Sequence, residues 1–364
     1  MAALGIMLGL SARGVVAAGG DWPLFRGDPR GAGVASGGLP ERLTELWKRP
    51  ARPSGYEATA AIVDGVVYIG DLNGEFAALD LATGRERWKT RIDAAYNASA
   101  AVRDGRVFVG DTEGKFYCLD ARDGKTLWTL DTGAEIDSSA NFYGDLTLIG
   151  SQDATLYAAK AATGEVVWKY TIGDQIRCSP TVVDNRAFIA GCDGMLHIVD
   201  LDKGVAAAEV KIDGPTGATP AVLGDVAYFG SEGGTFYGID WRQAKIVWQH
   251  RAERSQPLRS SPATIEGLVT YGGRDKLLHA VSPIDGHKLW DFPAKGRIDS
   301  SPVIVGRRIF VGSADGRLYE IDCDTGKKLW QFEAGSEFAA SPAVANGKLV
   351  IGTTQGILYC FGEK

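Results

Sequence analysis

The sequence predicts an all-β fold: an eight-bladed β-propeller of four-stranded antiparallel blades, with the ring closed by N- and C-terminal strands in one blade. Two periodic landmarks and the composition of the chain ends lead there. Tryptophans fall at 47, 88, 128, 168, 248, 290 and 330, and Ala208 occupies the one position where the series skips. A small hydroxyl residue, often followed by proline, recurs in step with them at Thr59, Ser99, Ser139, Ser179, Thr219, Ser261, Ser301 and Ser341. The last unit, from Ser341 through Phe361, supplies three strands and stops, while Leu43 to Lys48 is a fourth strand with no unit of its own. A period near 40 in an all-β pattern marks propeller blades rather than independent domains.

The elements of one unit follow from turn chemistry. In the first, Thr59–Val63 and Val66–Gly70 flank Asp64-Gly65, a two-residue hairpin signal whose positive φ angles suit Asp and Gly. Asn73-Gly74 turns into Phe76–Asp80, and Thr83-Gly84 turns into Arg85–Trp88. Apolar runs such as Val66-Val67-Tyr68-Ile69 are continuous, so both faces of each small sheet are covered by neighbouring blades. Trp47, Trp88, Trp128, Trp168, Trp248, Trp290 and Trp330 are expected between adjacent sheets, and Ala208 is expected to mark a thinner contact. Length varies only between each Trp and the next hydroxyl residue, which makes those connections loops.

The chain has 364 residues, 45% hydrophobic, with 48 glycines and a formal charge of −6. That composition excludes a disordered or coiled-coil protein. With no basic stripe to neutralise phosphates, a nucleic-acid partner is not expected. No stretch approaches the length of a transmembrane helix. Five cysteines without a CxxC pair make neither a disulfide framework nor a zinc site, and all five are expected as free thiols. The apolar run Ala2–Leu10 followed by Val16-Ala17-Ala18 reads as a secretory signal over residues 1–18, although no basic residue precedes it. Residues 19–39 form an N-terminal extension and 40–364 the propeller. The expected location is therefore the periplasm or cell envelope.

The repeat, as it stands in Ser301-Pro302, Val311-Gly312-Ser313-Ala314-Asp315-Gly316, Leu318-Tyr319, Ile321-Asp322 and Thr325-Gly326-Lys327-Lys328-Leu329-Trp330, resembles the quinoprotein or PQQ-like repeat, and does so in all eight units. Asp21-Trp22-Pro23-Leu24-Phe25-Arg26-Gly27 is similar to the segment that precedes the propeller in exported bacterial members. The resemblance implies one of two functions. Some members are PQQ-dependent dehydrogenases that hold a quinone and Ca²⁺ in the central funnel; others, similar to the β-barrel assembly lipoprotein, bind proteins and carry no cofactor. The dehydrogenases often have two adjacent cysteines against the quinone and long loops over the funnel. This sequence has no Cys-Cys pair, and its connections are short and uniform.

Side chains two positions before each hydroxyl residue are expected to ring the mouth of the central channel: Glu57, Asn97, Asp137, Arg177, Gly217, Arg259, Asp299 and Ala339. In that ring Arg177 and Arg259 would face anions, with Asp137 and Asp299 as partners or cation ligands. Asp153, Asp193, Asp275 and Asp315 recur at one repeat position and are expected to cap turns. His197 and His279 share a position that is tyrosine in five units, and read as packed interblade residues. His250 and His287 fall near turns. Tyr56, Tyr96 and Phe338, one position further out, could serve as rim aromatics for a carbohydrate. The leading expectation is a non-catalytic exported scaffold, monomeric by itself, that presents its loop face to a protein partner. It carries no catalytic residue, cofactor or metal. The alternative is a PQQ-dependent dehydrogenase or a quinone-binding relic.

Overall fold

A computed structural model describes residues 20–50, 54–251 and 256–364. The segment read as a secretory signal lies outside the described residues, apart from which the chain forms eight four-stranded antiparallel sheets arranged in a ring. Among the described residues there is no α-helix, and none long and apolar enough to cross a membrane. In the first blade the strands run outward in chain order, Ala61–Val63, Val66–Gly70, Glu75–Asp80 and Glu86–Arg91. The inner strand has three residues, and the innermost edges of successive blades approach one another around the axis. Asp64 and Gly65 turn between the first two strands with φ of 51° and 70°, as the Asp-Gly signal requires.

The ring closes by pairing the two ends of the chain. Thr44–Pro50 lies antiparallel to Ile357–Gly362 and completes the sheet begun by Ala343–Ala345 and Lys348–Gly352. This seals the circle with main-chain hydrogen bonds and leaves no blade incomplete.

Six of the seven periodic tryptophans sit on the outer strand across from a small residue of the third strand: Trp88 from Ala78, Trp128 from Cys118, Trp168 from Ala158, Trp248 from Gly238, Trp290 from Ala280 and Trp47 from Cys360. The indole then reaches the next blade. Nε1 of Trp47, Trp88, Trp128, Trp248 and Trp290 donates to the carbonyls of Leu81, Ala121, Ala161, Pro283 and Cys323. The ring lies under the glycine of that blade's outer turn, where a Cβ on Gly124 would come within 2.4 Å of the Trp88 ring. Glycine is needed twice over there, because φ is also +73°.

The fourth interface departs from this scheme, and the expected thin contact at Ala208 is not what forms. Ala208 pairs with Ile198 rather than with a small residue. Trp241, at the repeat position that elsewhere supplies the carbonyl acceptor, is 7% exposed and packs edge-on against Phe188 with ring centroids 5.6 Å apart. Ala208 packs on the same apolar cluster. The missing indole is thus replaced from the opposite side of the interface. With no ring beneath it, the turn position holds Ala244 at φ 52° where the other blades keep glycine.

Candidate functional site

The ring of hydroxyl residues is linked around the axis by a run of seven hydrogen bonds. The backbone N–H of Thr59 donates to Ser99 Oγ, Ser99 to Ser139, Ser139 to Ser179, Ser179 to Thr219, Thr219 to Ser261, Ser261 to Ser301 and Ser301 to Ser341, at 2.8–3.0 Å. Only a short side chain with an acceptor oxygen spans adjacent innermost strands at this radius. The repeat therefore keeps Ser or Thr.

Beneath that ring the axis is closed by the chain itself. The N-terminal segment runs past the innermost strands and uses their free edges as it goes. The N–H groups of Ile62, Val102, Val182, Val222, Thr264 and Ile304 donate to the carbonyls of Trp22, Pro23, Pro29, Arg30, Ala32 and Gly33. In the third blade Asn141 does this work instead, its Oδ1 accepting from Phe142 N–H while its Nδ2 donates to Pro29 and Pro180 carbonyls. Arg26 is fully buried in this plug and donates to the Pro262 and Pro302 carbonyls. Burial pulls its guanidinium down to about 9, partly opposed by Asp28.

What remains open is a cavity of about 170 Å³ lined by Phe25, the hydroxyl residues and the rim. Glu57, Asn97, Asp137, Arg177, Gly217, Arg259, Asp299 and Ala339 all line it. The charge pairing within the rim differs from the one expected. Asp299 binds Arg274 through two 2.9 Å hydrogen bonds and accepts a third from Arg297, which also reaches Glu337 at 2.7 Å. Arg259 pairs with Glu232 at 3.1 Å, and among the described residues Arg177 bonds Gln175. Asn97 Nδ2 donates to Glu135 and Asp137, and Gln152 donates to Asp137.

The charges are distributed unevenly. Glu57, Glu135 and Asp137 face one another across the first three blades, and burial together with Asp137 raises the pKa of both glutamates. The basic groups Arg177, Arg259, Arg274 and Arg297 occupy the fourth, sixth and seventh blades. Arg274, Arg297, Gln152, Gln175, Glu135, Glu232 and Glu337 went unnamed in the sequence reading, yet they obey its register. They stand four positions before, or thirteen after, a hydroxyl residue.

Several other candidates resolve into packing. Tyr56, Tyr96 and Phe338 are not rim aromatics: each is 5% exposed or less and wedges under a glycine of the preceding blade, Gly352, Gly70 and Gly312. Asp153, Asp193, Asp275 and Asp315 accept the N–H two residues on, at 3.0–3.2 Å, and so cap their turns. Their second oxygens bond the ring at the shared repeat position: Tyr157, His197, His279 and Tyr319. His250 belongs to a strand rather than a turn and lies 6.4 Å from the His279 ring. The five cysteines stand as free thiols, and in the fourth blade Val183 pairs with Arg186 as the turn implied.

The residues present do not suit a quinone held by Ca²⁺. Ligand pockets occupy roughly 300–1,000 Å³, and the axial cavity is smaller. No group of three or more His, Cys, Asp or Glu among the described residues could hold a metal ion. The carboxylates of Glu57 and Asp137 in the cavity lining would meet the carboxylates of PQQ with like charge.

Comparison with solved structures gives the same architecture. BamB from Moraxella catarrhalis superposes with a TM-score of 0.76 at 19% identity, covering 89% of this chain and 98% of that one. The computationally designed protein Ika8 gives 0.78 at 18%, covering 88% and 99%. The quinohemoprotein alcohol dehydrogenase from Comamonas testosteroni gives 0.81 at 16%, covering 97% and 82%. No curated protein sequence matches the chain. Residues 107–364 match the family described as the beta-alanine-activating enzyme, beta-propeller, and the chain belongs to that family of PQQ-like β-propellers.

Proposed function

We propose that this protein is a non-catalytic, exported interaction module of the bacterial cell envelope that engages a protein partner through the axial rim. The observation that carries this reading is the filled axis. The funnel that would have to hold a cofactor is stoppered by residues 22–33, leaving a shallow, charged concavity ringed by rigid turns. Such a surface suits recognition by charge complementarity, with one acidic and one basic side fixing a partner's orientation. The fold shared with BamB is compatible with this reading, and the apolar stretch over residues 2–10 supports export.

Two measurements on the chain from Gly19 onward test it. Calorimetric titration with PQQ, with and without Ca²⁺, should give no heat; saturable calcium-dependent binding would replace the scaffold by the dehydrogenase-like alternative. A photo-crosslinking residue at Asn97 should yield a defined protein adduct in cells, lost when Arg177 and Arg259 are both changed to Ala in a chain that still folds. An adduct indifferent to those two changes would remove the rim as the binding surface.

A further inference from the structure

Besides the fourth interface, the ring has a second that departs from the usual cover. Between the seventh and eighth blades the outer tryptophan is Trp330, and the residues that should cover it stand just before the strand Thr44–Pro50. Elsewhere the covering turn joins the third strand of the next blade to its fourth. At the seam these two strands come from opposite ends of the chain, so no such turn exists.

The register survives and the chemistry does not. Pro40 stands seven residues before Trp47, as Leu81 stands before Trp88, but its carbonyl accepts from Arg308 Nη1 at 2.9 Å instead of from an indole. Leu43 takes the position that is glycine beside Trp47, Trp88, Trp128, Trp168, Trp248 and Trp290. Among the described residues Trp330 Nε1 has no hydrogen-bond acceptor. Across from Trp330 lies Glu320, where the six other tryptophans face Ala, Cys or Gly, and its carboxylate binds Arg308 at 3.0 Å. Between these groups opens a groove of about 700 Å³, with the half-buried Trp330 and the exposed Leu329 on one wall and Leu43–Thr44 on the other.

We propose that this seam groove is a docking site for a protein partner that inserts a glycine-centred turn, lays the glycine on the Trp330 indole and offers a backbone carbonyl to its Nε1. The molecule displays the occupied form of this site itself. Five of its tryptophans are held by such a turn through both contacts, and Trp168 by the glycine contact alone. The groove continues that series of interfaces. The site is remote from the axial rim, so its failure leaves the rim proposal standing and the converse also holds.

The probe is a cyclic hairpin peptide of this chain's own residues 119–127, whose Ala121 carbonyl and Gly124 cover Trp88. The readout is the ¹⁵N-indole resonance of Trp330 in the full chain, assigned through Trp330→Phe. Saturable binding tighter than ~1 mM is expected, with a downfield shift of that resonance alone among the tryptophans. A peptide with alanine for the glycine should bind at least about tenfold more weakly. Trp330→Phe, which keeps an aromatic wall and lacks the N–H, should weaken the peptide in a chain whose circular dichroism is unchanged. No shift of Trp330, equal binding of the alanine peptide, or equal binding to Trp330→Phe would overturn the proposal. So would sedimentation showing a dimer that the peptide cannot compete apart, since the groove would then belong to a second copy.

Discussion

Thr59 and Ser99 are joined by a 2.8 Å hydrogen bond from backbone N–H to side-chain oxygen, and this one contact, repeated around the axis, explains why each unit opens on a small hydroxyl residue. The bond satisfies an inner-strand N–H that would otherwise face a dry neighbour. Ser139→Ala should therefore cost ~1–3 kcal/mol by leaving the Ser99 N–H without an acceptor. Ser139→Thr should be close to neutral, because Thr59 and Thr219 hold the same position. Urea denaturation of the two variants checks both. Equal stability of alanine and threonine variants would mean that the ring contributes packing and not hydrogen bonding.

Glycine at the outer turns should be unforgiving wherever a tryptophan lies beneath. Gly124→Ala brings a methyl onto the Trp88 ring at a positive φ, and a loss of ~1–3 kcal/mol or more is expected. Ala244→Gly, at the turn without an indole, should change stability by no more than about 1 kcal/mol. The comparison uses the same turn in two blades, so thermal melts of the pair read the effect of the indole directly.

The exchange of a tryptophan at 208 for one at 241 should show as coupling. Trp241→Ala empties a buried site and is expected to cost ~3–5 kcal/mol. Ala208→Trp alone should also destabilise, since Ile198, Trp241 and Ala244 occupy the space around it. Introduced together with Ile198→Ala, Trp241→Ala and Ala244→Gly, the new indole should recover stability relative to the sum of the separate changes, by ~0.5–3 kcal/mol of interaction energy. Strict additivity would show that the two positions do not share one space.

His279 ties stability to alkaline pH. It is 2% exposed and lies between Asp275 and Asp291, at 3.0 and 2.9 Å. Burial disfavours its charge, but the two carboxylates outweigh that and raise its pKa to about 9. His250, whose pKa burial and the His279 charge lower, Lys288 beside Asp291, and Tyr271 stacked on the imidazole complete its surroundings. A base whose pKa is raised on folding stabilises fully below its unfolded value of about 6.5. That contribution should fade as pH climbs through about 9. The melting temperature of the native chain should therefore fall between these limits more steeply than that of His279→Gln. Parallel curves would show that His279 is not the titrating group.

The architecture was legible because a propeller repeats its physics. Most blades share a tryptophan under a glycine, a hydroxyl at the axis and an Asp-capped turn, and so many copies make such needs visible without any structure. The mouth-ring positions came from the same register. Three things were hidden because they depend on contacts between positions far apart in sequence. The residues 22–33 carry no strand pattern, so nothing showed that their carbonyls would meet the inner edges of six blades. Tyr56, Tyr96 and Phe338 read as exposed aromatics because the glycines that receive them sit one blade away. Ala208 looked like a defect because its replacement, Trp241, lies 33 residues downstream in another repeat position.

The strand Thr44–Pro50 waits for Ile357–Gly362, and these are separated by nearly the whole chain. A nascent propeller can therefore form its middle blades as they are made, but its first outer strand has no seat until the last blade exists, and its axial stopper completes its bonds only once the seventh blade has formed. Stability is consequently a property of the circle and not a sum over blades, in contrast to an open solenoid that tolerates loss of a terminal repeat. A chain cut short before Ala343 loses the first strand's only partner as well as its own last blade, so it forfeits contacts at both ends with one break.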